Sequence, residues 1–126
     1  MLGDITPTPT IAVSDLARAR DFYENVLGLT VDSEMPEAGV VLYRSGNGRV
    51  QVYQSSSAGS NKATYATWQV PDIAACVEEL KAKGVTFEHY PDMPGVTLEG
   101  DVHVWDKEKA VWFKDPDGNV LCVDQG

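Results

Sequence analysis

The same pattern of apolar and polar positions occurs twice along the chain. Residues 11–29 and 68–85 each begin with a strand-like segment, continue through Val-x-Asp-(Leu/Ile)-Ala and an amphipathic helix, and end at glycine and an apolar residue. Apolar residues in both helical parts recur every three or four positions, which is typical of a helix with one buried face. The pattern predicts helices over 15–27 and 72–83, with Asp15 and Asp72 as N-caps and glycines as stops.

Short segments of alternating polarity surround the two helices and predict strands. These segments lie at 8–13, 30–35, 40–44, 49–54, 63–70, 85–90, 110–114 and 119–124. Ser-Gly-Asn-Gly at 45–48 and Asp-Pro-Asp-Gly at 115–118 each join two of them as a hairpin. We therefore expect one domain over 1–126 with an α+β fold of two pseudo-symmetric βαβββ modules. Module one spans 1–56, a linker spans 55–62 and module two spans 63–126.

Single residues refine this scheme. Pro7 and Pro9 remove two amide donors on one side of the first strand, which predicts an edge position in the sheet. Phe22 and Leu27 fall on the apolar stripe of the first helix, so we expect both to be buried, with Leu27→Ala costing about 2–5 kcal/mol. Cys76 falls on the corresponding stripe of the second helix and is expected to be a buried structural thiol.

The segment over 91–109 fits the repeat less well. It contains prolines, glycines, several acidic residues, His103 and Trp105. Two interpretations stay open: a long loop or extra hairpin lying over a binding site, or a solvated excursion with Trp105 packed against the body. We expect His103 at the surface, the alternative being a general base that reaches the binding site. His89 is expected on an exposed strand face.

Composition and charge exclude several function classes. The chain has 126 residues, 43% of them hydrophobic, which is enough for the core of one domain. Lys and Arg number 10 against 19 Asp and Glu, so the net charge of −9 leaves no basic surface for nucleic acid. No apolar run is long enough to span a membrane and no signal-peptide pattern is visible, which predicts a soluble, cytoplasmic protein. Cys76 and Cys122 show no metal-binding spacing.

Two motifs carry a resemblance to a known family. They are Val13-Ser-Asp-Leu16 followed by Phe22-Tyr23-x-x-Val26-Leu27-Gly28-Leu29, and Phe113-Lys-Asp-Pro-Asp-Gly-Asn119. With them the chain resembles the vicinal oxygen chelate superfamily, also called the glyoxalase/bleomycin-resistance/dioxygenase fold, over essentially its whole length. The resemblance implies that the two modules pair into an open, cup-shaped half-barrel with helices outside and a ligand inside. It also implies a homodimer.

Metal-dependent members of this family place His, Glu or Gln side chains at four positions of the cup. The equivalent positions by spacing are Thr8, Gln51, Tyr65 and Cys122. This set does not suit a hard, oxygen-seeking cation. We therefore expect neither a metal ion nor another cofactor.

Alternation along the strands predicts which side chains line the cup. The expected ligand-binding residues carry hydroxyl, amide, thiol or aromatic groups: Thr8, Thr10, Gln51, Tyr53, Tyr65, Thr67, Trp105, Trp112 and Cys122. A lining of this kind, without an ionised group, suits a neutral, planar organic molecule. The expected function is metal-free binding of a small aromatic or polyketide-like molecule, as in the drug-binding resistance members of the family. Neither nucleic acid nor a membrane is expected as a partner.

Other functions are compatible with the same fold. An enzyme, such as a lyase, isomerase or biosynthetic enzyme, would use Tyr65, Cys122 or His103 as its acid or base. Cys122 could act as a nucleophile only with an activating base or cation nearby, and none is visible on its strand. A metal-dependent glyoxalase-like lyase is a further alternative, as is a regulatory or structural protein whose cup is filled by its own side chains. These alternatives stay open at the level of the sequence.

Overall fold

The computed structural model describes residues 1–126. The fold is α+β, as predicted, and the chain divides into two compact units, Met1–Lys62 (unit one) and Ala63–Gly126 (unit two). Each unit contains one open sheet, and each helix follows the first strand of its unit. No helix of the chain is long and apolar enough to cross a membrane.

The sheet of unit one has four strands in the order β1-β4-β3-β2. Its first strand pairs in parallel with β4 alone, so the edge position predicted from Pro7 and Pro9 is confirmed within this sheet. The strand begins after the second proline. The elements are β1 (Thr10–Val13), α1 (Leu16–Arg20), a π-helical stretch (Asp21–Val26), β2 (Thr30–Met35), β3 (Val40–Ser45) and β4 (Gly48–Gln54), with short 3-10 turns at Leu2–Asp4 and Pro36–Ala38.

The sheet of unit two has the order β5-β10-β9-β8-β7, and the short strand β6 also pairs with β9. Its first and last strands are neighbours and run in parallel, as they do in unit one. The elements are β5 (Thr64–Gln69), α2 (Ile73–Ala82), β6 (Phe87–Glu88), β7 (Thr97–Glu99), β8 (Val102–Val104), β9 (Lys109–Lys114) and β10 (Val120–Gln125).

Both helices begin at the predicted aspartates. Asp15 accepts a hydrogen bond from the backbone N–H of Arg18, and Asp72 accepts one from the backbone N–H of Ala75, each at 3.1 Å. These bonds satisfy N–H groups that have no partner within the helix. After each helix a glycine adopts positive φ, 74° at Gly28 and 90° at Gly84, which favours the residue without a Cβ. The predicted caps are therefore confirmed.

The second half of the first predicted helix differs from an α-helix. Over Asp21–Val26 the backbone is π-helical, and the N–H of Leu27 bonds to the carbonyl of Phe22, five residues earlier. The wider turn rotates the following side chains around the helix axis. Within this helix Tyr23 is fully buried, whereas Phe22 and Leu27 are only half-buried. The prediction that Phe22 and Leu27 are the buried pair was therefore wrong.

The core of each unit lies on one face of its sheet, as the alternation predicts. In unit one the buried residues come from alternate positions of three strands: Ile11, Val13, Val41, Tyr43, Val50 and Val52. In unit two they come from strands and helix: Ala66, Phe87, Val111, Phe113, Leu121 and Val123, with Ile73, Val77 and Leu80 of α2. Cys76 lies on α2 but is half-buried rather than buried. The other face of each sheet carries polar and aromatic residues together with a few small or apolar residues that are also buried: Ala12, Ala110, Val120 and Cys122.

The segment over 91–109 forms an extra hairpin, β7–β8, that continues the sheet beyond β9. A carboxylate fastens this hairpin to the rest of unit two, because Asp101 forms an ion pair with Lys81 of α2 and is 2.7 Å from Nε2 of His89. His89 is exposed, as expected. Trp105 packs against other aromatic rings of the unit, which agrees with the expectation that it lies against the body.

Candidate functional site

Unit two contains a hollow of about 490 Å³ on the sheet face opposite its core. We name it the tryptophan hollow. Strand register explains the lining, since Cys122 lies between Trp112 of β9 and Thr67 of β5, and Asp124 lies beside Ala110. Residues paired in this way point to the same side of a sheet. The lining residues are Thr64, Thr67, Trp105, Glu108, Lys109, Ala110, Trp112, Cys122 and Asp124.

A β-bulge decides which residue of β5 joins this lining. Val120 pairs with Thr64 and the next residue, Leu121, pairs with Ala66, so Tyr65 is an extra residue in the ladder. Thr64 therefore takes the position at the hollow that simple alternation gives to Tyr65. The indole Nε1 of Trp112 donates a hydrogen bond to Thr64 Oγ1 at 3.2 Å. Tyr65 does not belong to the lining.

Two tryptophans form adjacent walls of the hollow. The ring centroids of Trp105 and Trp112 are 6.3 Å apart and the ring planes meet at 76°. Trp105 is held by its Nε1, which donates to the carbonyl of Pro94 at 3.1 Å, and by its backbone N–H, which donates to the carbonyl of Glu108. Both indole N–H groups thus have protein partners, so each tryptophan presents mainly its apolar ring surface to the hollow.

His103 is fully buried, which corrects the expectation that it lies at the surface. Its ring lies among three aromatic rings, with its centroid 4.9 Å from that of Trp112 and 5.8 Å from that of Tyr90. Nε2 accepts a hydrogen bond from the backbone N–H of Tyr90 at 2.8 Å, which places the proton of the neutral ring on Nδ1. Burial lowers the pKa of His103. The nearby backbone carbonyls of Ala110 and Asp101 raise this pKa again, but only in part. The histidine supports the wall behind Trp112 without lining the hollow.

Cys122 lies at the floor of the hollow as a buried, free thiol. Burial, with a smaller contribution from the nearby carboxylate of Asp124, raises the pKa of Cys122 to about 11, although a hydrogen bond with Thr67 acts in the opposite direction. Because the thiolate is the reactive form, such a thiol is a poor nucleophile near neutral pH. Cys122 therefore contributes a small, polarizable surface.

Charged groups at the hollow were missed by the sequence analysis. Asp124 and Glu108 provide carboxylates and Lys109 provides an ammonium group. Oδ1 of Asp124 is buried and has no hydrogen-bond partner. Asp124 could have been found from the sequence, because it follows Cys122 by two positions on the same strand and must share its face. The position of Thr64 could not, because the bulge depends on pairing with β10.

The predicted residues of unit one lie on a different sheet. Thr10 pairs with Gln51, and Ala12 pairs with Tyr53, so Thr10, Gln51 and Tyr53 share the face opposite the core of unit one. Thr8 instead lines a hollow of about 340 Å³ beside Arg44 and Arg49, which both form ion pairs with Asp32. Of the predicted ligand-binding residues, the tryptophan hollow brings together Thr67, Trp105, Trp112 and Cys122. Ligand binding by any of the predicted residues stays a prediction.

Comparison with known proteins gives the family. The sequence profile of the Glyoxalase/Bleomycin resistance protein/Dioxygenase superfamily matches residues 5–123. The chain belongs to this superfamily. A comparison with curated proteins finds no match.

Solved structures of superfamily members share the fold at low sequence identity. Lactoylglutathione lyase from Agrobacterium tumefaciens has a TM-score of 0.72 and 20% identity, covering 97% of this chain and 94% of its own. The fosfomycin resistance protein FosX from Listeria monocytogenes has a TM-score of 0.71 and 16% identity, with coverage of 96% and 92%. TnmS3, an antibiotic binding protein from a Streptomyces species, has a TM-score of 0.65 and 19% identity, with coverage of 96% of each chain. At these identities the likeness concerns the fold alone.

The side chains present do not offer the donor set that a divalent metal ion requires. Nowhere in residues 1–126 do three or more His, Cys, Asp or Glu side chains come together in a group able to hold a metal ion. At the tryptophan hollow the nearest candidates are one buried thiol and two carboxylates without a histidine. Divalent ions need several such ligands arranged around one point.

Proposed function

We propose that the protein binds a small, planar organic molecule, aromatic or polyketide-like, without a metal ion. The observation that carries this proposal is the tryptophan hollow, where Trp105 and Trp112 meet as two adjacent apolar walls. Binding sites for small molecules are concave, mostly apolar and contain a few placed polar groups. The volume of about 490 Å³ lies in the range of such sites.

The polar groups of the hollow support the same proposal. Thr67 lines the hollow beside Cys122, and Thr64 is fixed by its bond to Trp112. Hydroxyl groups of this kind orient a ligand without adding a charge. Within the superfamily, the antibiotic binding protein TnmS3 has the same fold over nearly the whole chain. We take TnmS3 as support for the view that this fold can serve to bind a small molecule.

Catalysis has weaker support from the side chains present. Cys122 has a pKa of about 11. His103 is held by Tyr90 and is enclosed by aromatic rings behind the wall of the hollow. An acid or base must lie within hydrogen-bond reach of the reacting group and have a pKa near the working pH. Binding is therefore the function we propose.

A fluorescence titration with the neutral naphthalene dye prodan tests the proposal. We expect micromolar affinity, about −8 kcal/mol, with a blue shift of the dye and quenching of tryptophan emission. Trp112→Leu removes one wall and should weaken binding by about tenfold or more. Trp68→Leu is the matched control, because Trp68 pairs with Val123 on the other face of the sheet. Circular dichroism checks that both variants fold. Equal effects of the two variants, or no binding by the wild type, would show that the hollow is not the site.

A homodimer is a separate proposal, and it rests on membership of the superfamily. The chain has a mass of 13.7 kDa, so a dimer doubles the mass measured by light scattering after gel filtration. A mass equal to that of one chain across the micromolar concentration range would refute it.

A further inference from the structure

We propose that the tryptophan hollow selects ligands that carry a protonated amine, and that the carboxylate of Asp124 receives this amine. The inference rests on the proposed binding function and adds the chemical class of the ligand. It departs from the sequence analysis, which predicted a lining without an ionised group.

Asp124 occupies a fixed position at the hollow. Its backbone is fixed in β10, where its carbonyl accepts a hydrogen bond from the N–H of Val70 at 2.8 Å. Its side chain lines the hollow beside Ala110, and Oδ1 is buried without a hydrogen-bond partner. Because the carboxylate of Asp124 belongs to the lining, a donor that enters the hollow can gain a charge-assisted hydrogen bond with it.

The protein forms no ion pair with the carboxylate of Asp124. Lys109 is the one cation in the lining, and no ion pair joins it to Asp124. Glu108 adds a second carboxylate, so the lining has an excess of negative charge, in a chain whose net charge is −9. The charge of Asp124 is also felt inside the hollow, because it helps to raise the pKa of Cys122. A cation is therefore attracted and an anion repelled.

The walls of the hollow also favour an ammonium group. The N–H groups of Trp105 and Trp112 already donate to Pro94 and Thr64. Their ring faces stay available, and an ammonium group near the face of an indole ring is stabilised by its quadrupole. The same walls hold the aromatic part of the ligand. The carboxylate and the ring faces thus favour one class of ligand, a planar molecule with a protonated amine.

Three probes of matched size test the inference by displacing prodan from the protein at pH 7. They are naphthylmethylamine, which is a cation, naphthylmethanol, which is neutral, and naphthoate, which is an anion. We expect the amine to bind about tenfold more tightly than the alcohol, and the anion to bind most weakly. In Asp124→Asn the advantage of the amine should be lost, while the affinity of the alcohol changes by less than about twofold.

Asp92→Asn is the matched control, since it makes the same change of charge at an exposed residue of unit two outside the hollow. It should leave the order of the three probes unchanged. Equal affinities of amine and alcohol in the wild type would overturn the inference, and this test does not depend on any variant being folded. An equal loss of affinity for the amine and the alcohol in Asp124→Asn would also overturn the inference. In either case binding of prodan would still support the proposed function, whereas failure of all probes including prodan would refute both proposals.

Discussion

The turn between β9 and β10 gives a sharp test of how the sheet of unit two is held together. Asp115 is 5% exposed, and its Oδ1 accepts hydrogen bonds from the backbone N–H groups of Asp117 and Asn119, both at 2.9 Å. Its Oδ2 accepts from Nδ2 of Asn119 at 2.8 Å. Asp115→Ala removes the charged acceptor of both hydrogen bonds from Asn119, which is 0% exposed, and each hydrogen bond to a charged group contributes about 1.5–3 kcal/mol. We expect the free energy of unfolding to fall by about 3–4 kcal/mol.

Urea unfolding followed by tryptophan fluorescence measures this change. Asp115→Asn keeps one oxygen for the two backbone donors but faces Nδ2 of Asn119 with a second donor, so we expect an intermediate loss of about 1–2 kcal/mol. Asp92→Ala, at an exposed position, should change stability by less than about 0.5 kcal/mol. A loss below about 1 kcal/mol for Asp115→Ala would show that the carboxylate is not the structural centre of this turn.

Three further predictions concern other parts of the chain. Tyr23→Ala should cost about 3–5 kcal/mol in urea unfolding and Leu27→Ala less than about 2 kcal/mol, because only Tyr23 is fully buried; the reverse order would contradict the π-helical register. Burial lowers the pKa of His103 below 6.5, so at acidic pH the unfolded chain protonates this histidine more readily than the folded chain does. The contribution of His103 to stability is therefore full above pH 6.5 and is lost as the pH falls through 6.5 towards the pKa of the folded state. The melting temperature should therefore decrease between pH 8 and pH 5, and less steeply in His103→Gln, whereas equal slopes would rule out this role. Elemental analysis should find far less than one equivalent of Ni, Zn, Mn or Fe in the purified protein, and EDTA should leave the melting temperature unchanged; a stoichiometric metal would overturn metal-free binding.

The parts of the fold that depend on local chemistry could be predicted from the sequence. Asp15 and Asp72 cap helices because their side chains reach N–H groups three residues ahead, which is a property of the local segment. The turn at 115–118 is local in the same way. The π-helical stretch was not predictable from periodicity. A repeat of 3.6 apolar positions presupposes α-helical turns, whereas the N–H of Leu27 bonds to a carbonyl five residues earlier.

The candidate site depended more on contacts between distant segments. Trp112 and Cys122 share a face because they are paired between adjacent strands, and alternation predicts this. Tyr65 is displaced from that face by a bulge that exists only in the pairing of β5 with β10. His103 is buried because β8 pairs with β9, and no pattern near His103 in the sequence predicts that pairing.

The hairpin β7–β8 has a consequence for how this protein can change during evolution. One wall of the hollow, Trp112, lies on β9, a strand of the repeated module, while the other, Trp105, follows β8 in the inserted segment. The insertion is anchored through Asp101, through the buried ring of His103 and through the pairing of β8 with β9, whereas β10 pairs with the opposite edge of β9. Substitutions within the insertion can therefore reshape one wall while the ladder that maintains the fold is preserved. Under the proposed function, substitutions in this hairpin would change which ligand the hollow accepts without altering the strands that form the rest of the sheet.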